Sequence, residues 1–262
     1  MDQLLLATYA HDLRPYRRHA EQLQCGLELH AFTEPGILAN NPSELLQRYK
    51  KQLAGFSGRL GMHGAFYDMV SASIDPDVQA LTRTRYRQCL QIAAELEVEY
   101  LIFHANYMGA MGLADYWSGW HKRQVSFWVD FMHEAEQLGM MILLENMWAD
   151  HPQIINDVLA EVNSPRLRVC LDLSHAALYS PTSLSEWITA LYPYMHCCHL
   201  NNHDGRQDLH WPLGKGVIDY KQVLTIIRQL PHPPLLTLEL PNWNSICQSL
   251  PFLHLNSSVG RE

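Results

Sequence analysis

Histidines and carboxylates stand at or near the ends of six successive apolar runs: His63, His104, Glu145, Asp172, His199 and Glu239. These are common nitrogen and oxygen ligands of divalent cations. Recurring at one end of consecutive strands, they describe a ring of side chains converging on one point. The pattern predicts a metal site at the C-terminal ends of the strands of a parallel β-barrel.

The elements that must position this ring are short. Eight apolar stretches have the length of strands rather than helices: Leu4 to Thr8, Gly26 to Leu29, Leu60 to His63, Tyr100 to His104, Met140 to Glu145, Leu167 to Asp172, His196 to Leu200 and Leu235 to Leu240. Segments of helical periodicity separate them, such as Val78 to Leu96 and Gln124 to Leu138, the second closed by Gly139 as a C-terminal cap. Strand alternating with helix, with no linker, low-complexity tract or repeat, predicts a single α/β domain over residues 1–262, a (β/α)8 TIM barrel. After Glu239 the chain runs through Pro241, Asn242 and Trp243 into a weakly periodic tail, so the last helix is expected to be short or absent.

Composition narrows the function classes. With 47 % of residues apolar, the chain supports one large core. No apolar run approaches the roughly 20 residues needed to cross a bilayer, and no basic N-terminal region precedes an apolar stretch. No membrane partner and a cytoplasmic location are therefore expected. The six cysteines carry no metal or redox spacing, and all read as reduced packing residues. Cys197 and Cys198 would point to opposite faces of their strand. A net charge of −8 argues against a nucleic-acid partner, which normally meets a basic face.

Two local motifs make the metal reading specific. Leu171-Asp172-Leu173-Ser174-His175 sets a carboxylate at a strand end and an imidazole three residues later in the following loop. His199-Leu200-Asn201-Asn202-His203-Asp204 leads to Asp208-Leu209-His210-Trp211-Pro212-Leu213-Gly214-Lys215-Gly216. With His63-Gly64-Ala65-Phe66-Tyr67-Asp68, these segments resemble the xylose-isomerase-like barrel superfamily. Its members include sugar and sugar-phosphate isomerases and epimerases, certain dehydratases, and nucleases of the endonuclease IV type. The resemblance runs from Leu4 to about Asn242 and is greatest to sugar phosphate isomerase/epimerase proteins.

The resemblance implies a divalent metal, Mn²⁺, Zn²⁺, Mg²⁺ or Co²⁺, held by Glu145, Asp172, His199 and Glu239, with Glu145 and Glu239 moving protons on opposite faces of a carbohydrate-like substrate. A proton beside a carbonyl is too weakly acidic for an unaided carboxylate. A cation on the carbonyl and adjacent hydroxyl oxygens stabilises the enediolate while a positioned glutamate removes the proton. One metal per chain is expected. The family also carries the expectation of a homodimer.

The nuclease branch supplies the alternative, with up to three metals. There His63, His104, Glu145, Asp172, His175, His199, Asp208, His210 and Glu239 would form a nine-ligand zinc site for hydrolysis of abasic DNA. The acidic charge, the Gly64-Ala65-Phe66-Tyr67 continuation in place of a proline-tyrosine, and the short connection from Asn202 to Asp208 argue against it. The ketose epimerases in turn usually carry an arginine where this chain has His210, which weakens the case for a free ketohexose and leaves His210, with Asp208, as a further metal ligand or a substrate contact. A dehydratase or lyase, or a binding barrel without chemistry, are the remaining readings; retention of both glutamates disfavours the last.

Each position also has a plainer reading. A strand-end histidine taken alone is more often a satisfied structural group than a ligand; the family order lifts His63 and His104 above that, as further metal ligands or substrate contacts, and His175 reads as a substrate contact or ligand. Phe66, Tyr67, Tyr107, Trp117, Trp120, Trp148, Trp211 and Trp243 should gather at the barrel mouth, where rings either stack on a sugar or merely pack loops. Of these, Phe66, Tyr67, Trp117 and Trp148 are taken as substrate contacts. Arg206 and Lys215 are the candidate holders of a substrate phosphate, ahead of Lys122 and Arg123. Asn146 should point away from Glu145 on a regular strand, yet at the strand end it could reach the substrate or the next loop. His121, His133, His151, His203 and His232 read as surface or core residues.

Overall fold

The computed structural model describes residues 3–108 and 115–254. Eight parallel strands close in sequence order into a barrel: β1 Leu4–Thr8, β2 Gly26–Leu29, β3 Leu60–His63, β4 Tyr100–His104, β5 Met141–Glu145, β6 Leu167–Asp172, β7 Met195–Leu200 and β8 Leu235–Leu238. Three boundaries differ from expectation: β5 starts one residue late, β7 one residue early, and β8 stops at Leu238 rather than Leu240. Glu239 lies past β8, yet its N–H donates to the Leu200 carbonyl at 3.2 Å. The glutamate is thus tethered to β7.

Alternation of side chains along each strand produces two cores. Leu5, Tyr100, Ile102, Leu143, Cys170, Cys197 and Leu235 fill the barrel interior, whereas residues such as Leu101, Phe103, Leu144 and Cys198 pack outward against the helices. The two adjacent cysteines do face opposite ways. On β4 the inward row runs Tyr100, Ile102, His104, and on β5 it runs Met141, Leu143, Glu145. The ligand candidates therefore continue the same inward row that fills the core below them. Register then aligns neighbours, His104 beside Glu145 and Asp172 beside His199.

The helices follow local rules. The helix Pro76–Glu95 starts with proline at its first position and Asp75 accepting from the Asp77 N–H, two residues ahead of the expected start. Tyr116–Gln137 begins well before Gln124. Ser118 and Gly119 obscure its first turns in the sequence, but Trp120, Gln124, Phe127, Trp128 and Phe131 form one buried face. Gly139 follows with φ +67°, a conformation that glycine adopts without a Cβ clash. The final helix is short, Trp243–Ser249, capped by Asn242.

Candidate metal centre

The first half of the ring is built on β3, β4 and β5. His63 Nε2 lies 3.1 Å and His104 Nε2 3.4 Å from the same oxygen of Glu145, Oε2. The other oxygen, Oε1, is 3.2 Å from His175 Nδ1. Glu145 is buried and its carboxyl is held well below the ordinary range: burial pushes it up, but His104 and His199 outweigh that. The His63 imidazole is raised because Glu145 overcomes the cost of burial, whereas burial holds His104 down.

The second half comes from β6, β7 and the residue after β8. Asp172 ends β6 and caps the helix Leu173–Tyr179, its Oδ1 accepting from the His175 N–H at 2.6 Å. His175 therefore sits on a first helical turn rather than in a loop, and the same turn that fixes Asp172 Oδ1 aims the imidazole back at Glu145. Asp172 Oδ2 accepts from Asn201 Nδ2 at 3.2 Å and stands 4.0 Å from His199 Nδ1. That nitrogen is 3.3 Å from Glu239 Oε2 and 3.7 Å from Glu145 Oε2. All four residues expected as core ligands thus surround one point. Burial raises Asp172 to about 6 against the pull of His175, while His210 and His199 overcome burial to bring Glu239 down to about 2.

A third cluster hangs from the loop after β7. Asp208 bridges two imidazoles, with Oδ2 3.2 Å from His175 Nε2 and Oδ1 3.3 Å from His210 Nε2. His210 adopts φ +45°, a left-handed conformation uncommon for a side-chain-bearing residue and often concentrated at functional sites. Asn202 secures this loop: it pairs with Trp211 through both backbone groups, and its Nδ2 donates to the carbonyls of Leu213 and Ile218.

The donor set fits a divalent cation. Ligand atoms lie within 4.8 Å of one another in each of three groups, His63–His104–Glu145, Glu145–Asp172–His175 and Asp172–His199–Glu239. His199 Nδ1, Glu239 Oε2 and Asp208 Oδ1 are buried without a hydrogen-bond partner. Such orphaned polar atoms are costly unless something binds them, and their mixture of imidazole nitrogen and carboxylate oxygen suits zinc or manganese.

Two residues of the site escaped the sequence reading. Glu28 and His30, on and just after β2, are fully buried. Glu28 accepts from both His199 and His30, and His30 Nδ1 stands 3.7 Å from Glu239 Oε1. The signal was present: Gly26-Leu27-Glu28-Leu29-His30 alternates polar residues on one face of an apolar run, as the other ring strands do.

The remaining predicted residues divide. Phe66 stacks on His104 with ring centroids 4.8 Å apart and meets the His63 ring edge-on, while Tyr67 lies against Phe66 and is half-exposed. Trp148 is exposed in the loop after β5 with φ +57°, and Trp117 stacks on His121. Arg206 is exposed on the turn organised by Asp204, and the Lys215 ammonium stands 3.9 Å over the Trp211 ring. Asn146 turns to the next strand: its amide clamps the backbone of Asp172, donating to the carbonyl at 2.9 Å and accepting from the N–H at 2.7 Å.

The sequence profile of the Xylose isomerase-like TIM barrel family matches residues 24–253, and the chain belongs to that family. Among curated proteins it is 24 % identical over 206 residues to the uncharacterized protein MJ1311 of Methanocaldococcus jannaschii, covering 76 % of this chain and 68 % of that one. Among solved structures, the TTHB071 protein of Thermus thermophilus, soaked with ZnCl2, is 28 % identical with a TM-score of 0.77, covering 99 % of this chain and 100 % of that one. A D-tagatose 3-epimerase-like protein shares the fold with a TM-score of 0.81 at 20 % identity, covering 97 % and 96 % of the two chains. The 3-keto-D-glucoside 4-epimerase YcjR of E. coli does so with a TM-score of 0.74 at 12 % identity, covering 97 % and 98 %.

Proposed function

We propose that this chain is a divalent-metal-dependent isomerase or epimerase acting on a small sugar or sugar phosphate. The observation that carries the reading is the convergence of Glu145, Asp172, His199 and Glu239 on one buried point, with both glutamates reaching His199 Nδ1. The fold it shares with sugar epimerases supports the same class.

Glu145, Asp172, His199 and Glu239 would hold the metal. When bound, the cation supplies positive charge to the oxygens of an α-hydroxycarbonyl as negative charge develops there. The protein residues do the rest. One glutamate accepts the proton from the carbon beside the carbonyl; its return to the neighbouring carbon gives isomerisation, whereas epimerisation takes a proton on the opposite face from the other glutamate, which enters the step protonated, both groups being reset by exchange with water. Phe66, between His63 and the exposed Tyr67, presents an apolar wall that excludes water from the carbon being deprotonated.

A second reading, hydrolysis of a phosphoester by a multinuclear centre, is favoured by one observation. His63 and His104 converge on Glu145, and His175 and His210 converge on Asp208, beyond what a single cation needs. Elemental analysis decides between them. About one divalent metal per chain, with exchange of a substrate carbon-bound proton into deuterated water that Glu145→Gln and Glu239→Gln each reduce by about 10²–10⁴-fold, supports the isomerase. About three zinc ions per chain, as the resemblance to the nuclease branch implies, with cleavage of abasic-site DNA, replaces it with the nuclease.

A further inference from the structure

A carboxylate lies beneath the ring, on the barrel axis side of β2, where the isomerase mechanism has no use for it. Glu28 is fully buried, and its two oxygens have divided duties. Oε1 accepts from His199 Nε2 at 2.9 Å and from His30 Nε2 at 2.7 Å. Oε2 accepts from the Tyr100 hydroxyl at 2.6 Å and from the Thr237 hydroxyl at 3.0 Å. Four donors from β4, the end of β2, β7 and β8 therefore hold one carboxylate in place. A buried carboxylate with no cationic lysine or arginine among these partners is expensive to keep, so its retention calls for a reason beyond packing.

The reason lies in what the two imidazoles do with their other nitrogen. An imidazole whose Nε2–H donates to a carboxylate must present Nδ1 as its free side. For His199 that nitrogen faces Glu239, Glu145 and Asp172, and it makes no hydrogen bond. For His30 it is likewise without a hydrogen-bond partner and faces Glu239.

We propose that Glu28 is the positioning residue of the metal centre, fixing His199 and His30 through their Nε2–H groups so that both Nδ1 atoms are directed into the ring. This rests on the reading of the ring as a metal site. The partner of a ligating histidine orients the ring and raises the basicity of its ligating nitrogen, and its loss typically costs 10–100-fold in metal affinity. Tyr100 and Thr237 hold the opposite edge of the carboxylate. They stop it from rotating away from the two histidines.

Zinc affinity, measured by competition with a chromophoric chelator on the full chain, tests this with Glu28→Gln beside Tyr100→Phe. Glutamine keeps the shape and one acceptor oxygen but removes the charge, so affinity should fall about 10–100-fold with the number of metals at saturation unchanged. Tyr100→Phe removes one of the two hydrogen bonds on Oε2 but leaves the charge, the Thr237 contact and both histidine contacts in place, so its loss of affinity should be clearly smaller than that of Glu28→Gln. Wild-type affinity in Glu28→Gln overturns the proposal. So does an equal loss in Tyr100→Phe, because the effect would then be a general disturbance of the barrel interior. The imidazole N–H resonances of His199 and His30 read the positioning without metal: they should lie far downfield in the wild type and move upfield in Glu28→Gln, and resonances that stay put overturn it. Should the wild type bind no divalent cation, the metal-centre reading falls, and the resonances alone judge Glu28.

Discussion

Eleven ionisable side chains, Glu28, His30, His63, His104, Glu145, Asp172, His175, His199, Asp208, His210 and Glu239, meet at the mouth of this barrel, and each neutralises or shifts another. The consequence at the residue scale is a pH dependence of the metal-free protein. Although burial pulls it down, His210 is held up at about 10 by Glu239 and Asp208. Its folded value exceeds its ordinary 6.5, so the stability it contributes is complete below that pH and is lost as pH rises through about 10. Thermal unfolding of the chelated protein should show a midpoint that declines between neutral pH and pH about 10, with His210→Gln flattening the decline. An equally steep decline in that variant would remove His210 as its source. Asp172 behaves in the same direction at lower pH: with a folded value of about 6 against 3.8, its contribution fades as pH rises between those values. Glu239, brought down from 4.5 to about 2, acts oppositely, and its contribution is lost as pH falls from 4.5 through about 2.

At the scale of elements, two asparagines join the pieces that carry ligands. Asn146 binds both backbone groups of Asp172 and so ties the end of β5 to the end of β6. Replacing a buried hydrogen-bonding group leaves its partners unsatisfied at about 1–3 kcal/mol each, so Asn146→Ala should lower the unfolding free energy by roughly 2–6 kcal/mol in denaturant titration. Asn202 anchors the loop of Asp208 and His210 without touching the strand-end ring. Asn202→Ala should therefore remove any metal equivalents held by the Asp208 cluster and spare those held by Glu145, Asp172, His199 and Glu239. Elemental analysis of that variant sinks this division of labour if the strand-end metal is lost as well. The sequence marked Asn202 only as a neighbour of ligands and left Asn146 between the substrate and the next loop, because the work of each depends on which strand end lies beside it.

At the scale of the whole molecule, a metal held by this cluster of buried charges would be coupled to folding. A cation bound only by the folded state at 100 times its dissociation constant adds about 2.7 kcal/mol. For a chain of this size that corresponds to an unfolding midpoint about 5–10 °C higher than after chelation. Calorimetry with and without added zinc or manganese reads this shift, and identical midpoints would mean that the ring folds equally well without a metal. Among the described residues no helix is long and apolar enough to cross a membrane.

Sequence alone determined the barrel and most of its ring. Apolar runs of strand length alternating with amphipathic helices place β1 to β8, and the period-2 alternation that fills the interior with Ile102 and Leu143 also delivers His104 and Glu145 to the same face. These are local properties of the chain, readable without knowing what lies opposite. The grouping was decided by tertiary structure: that Asp172 caps a helix and aims His175 at Glu145, that Asp208 bridges His175 and His210, that Lys215 sits over Trp211, and that Glu28 joins His199 to His30. The Glu28–His199 contact spans 171 residues and depends on the closure that brings β2 and β7 within reach across the barrel interior. Residue type and spacing along one strand carry no record of that distance.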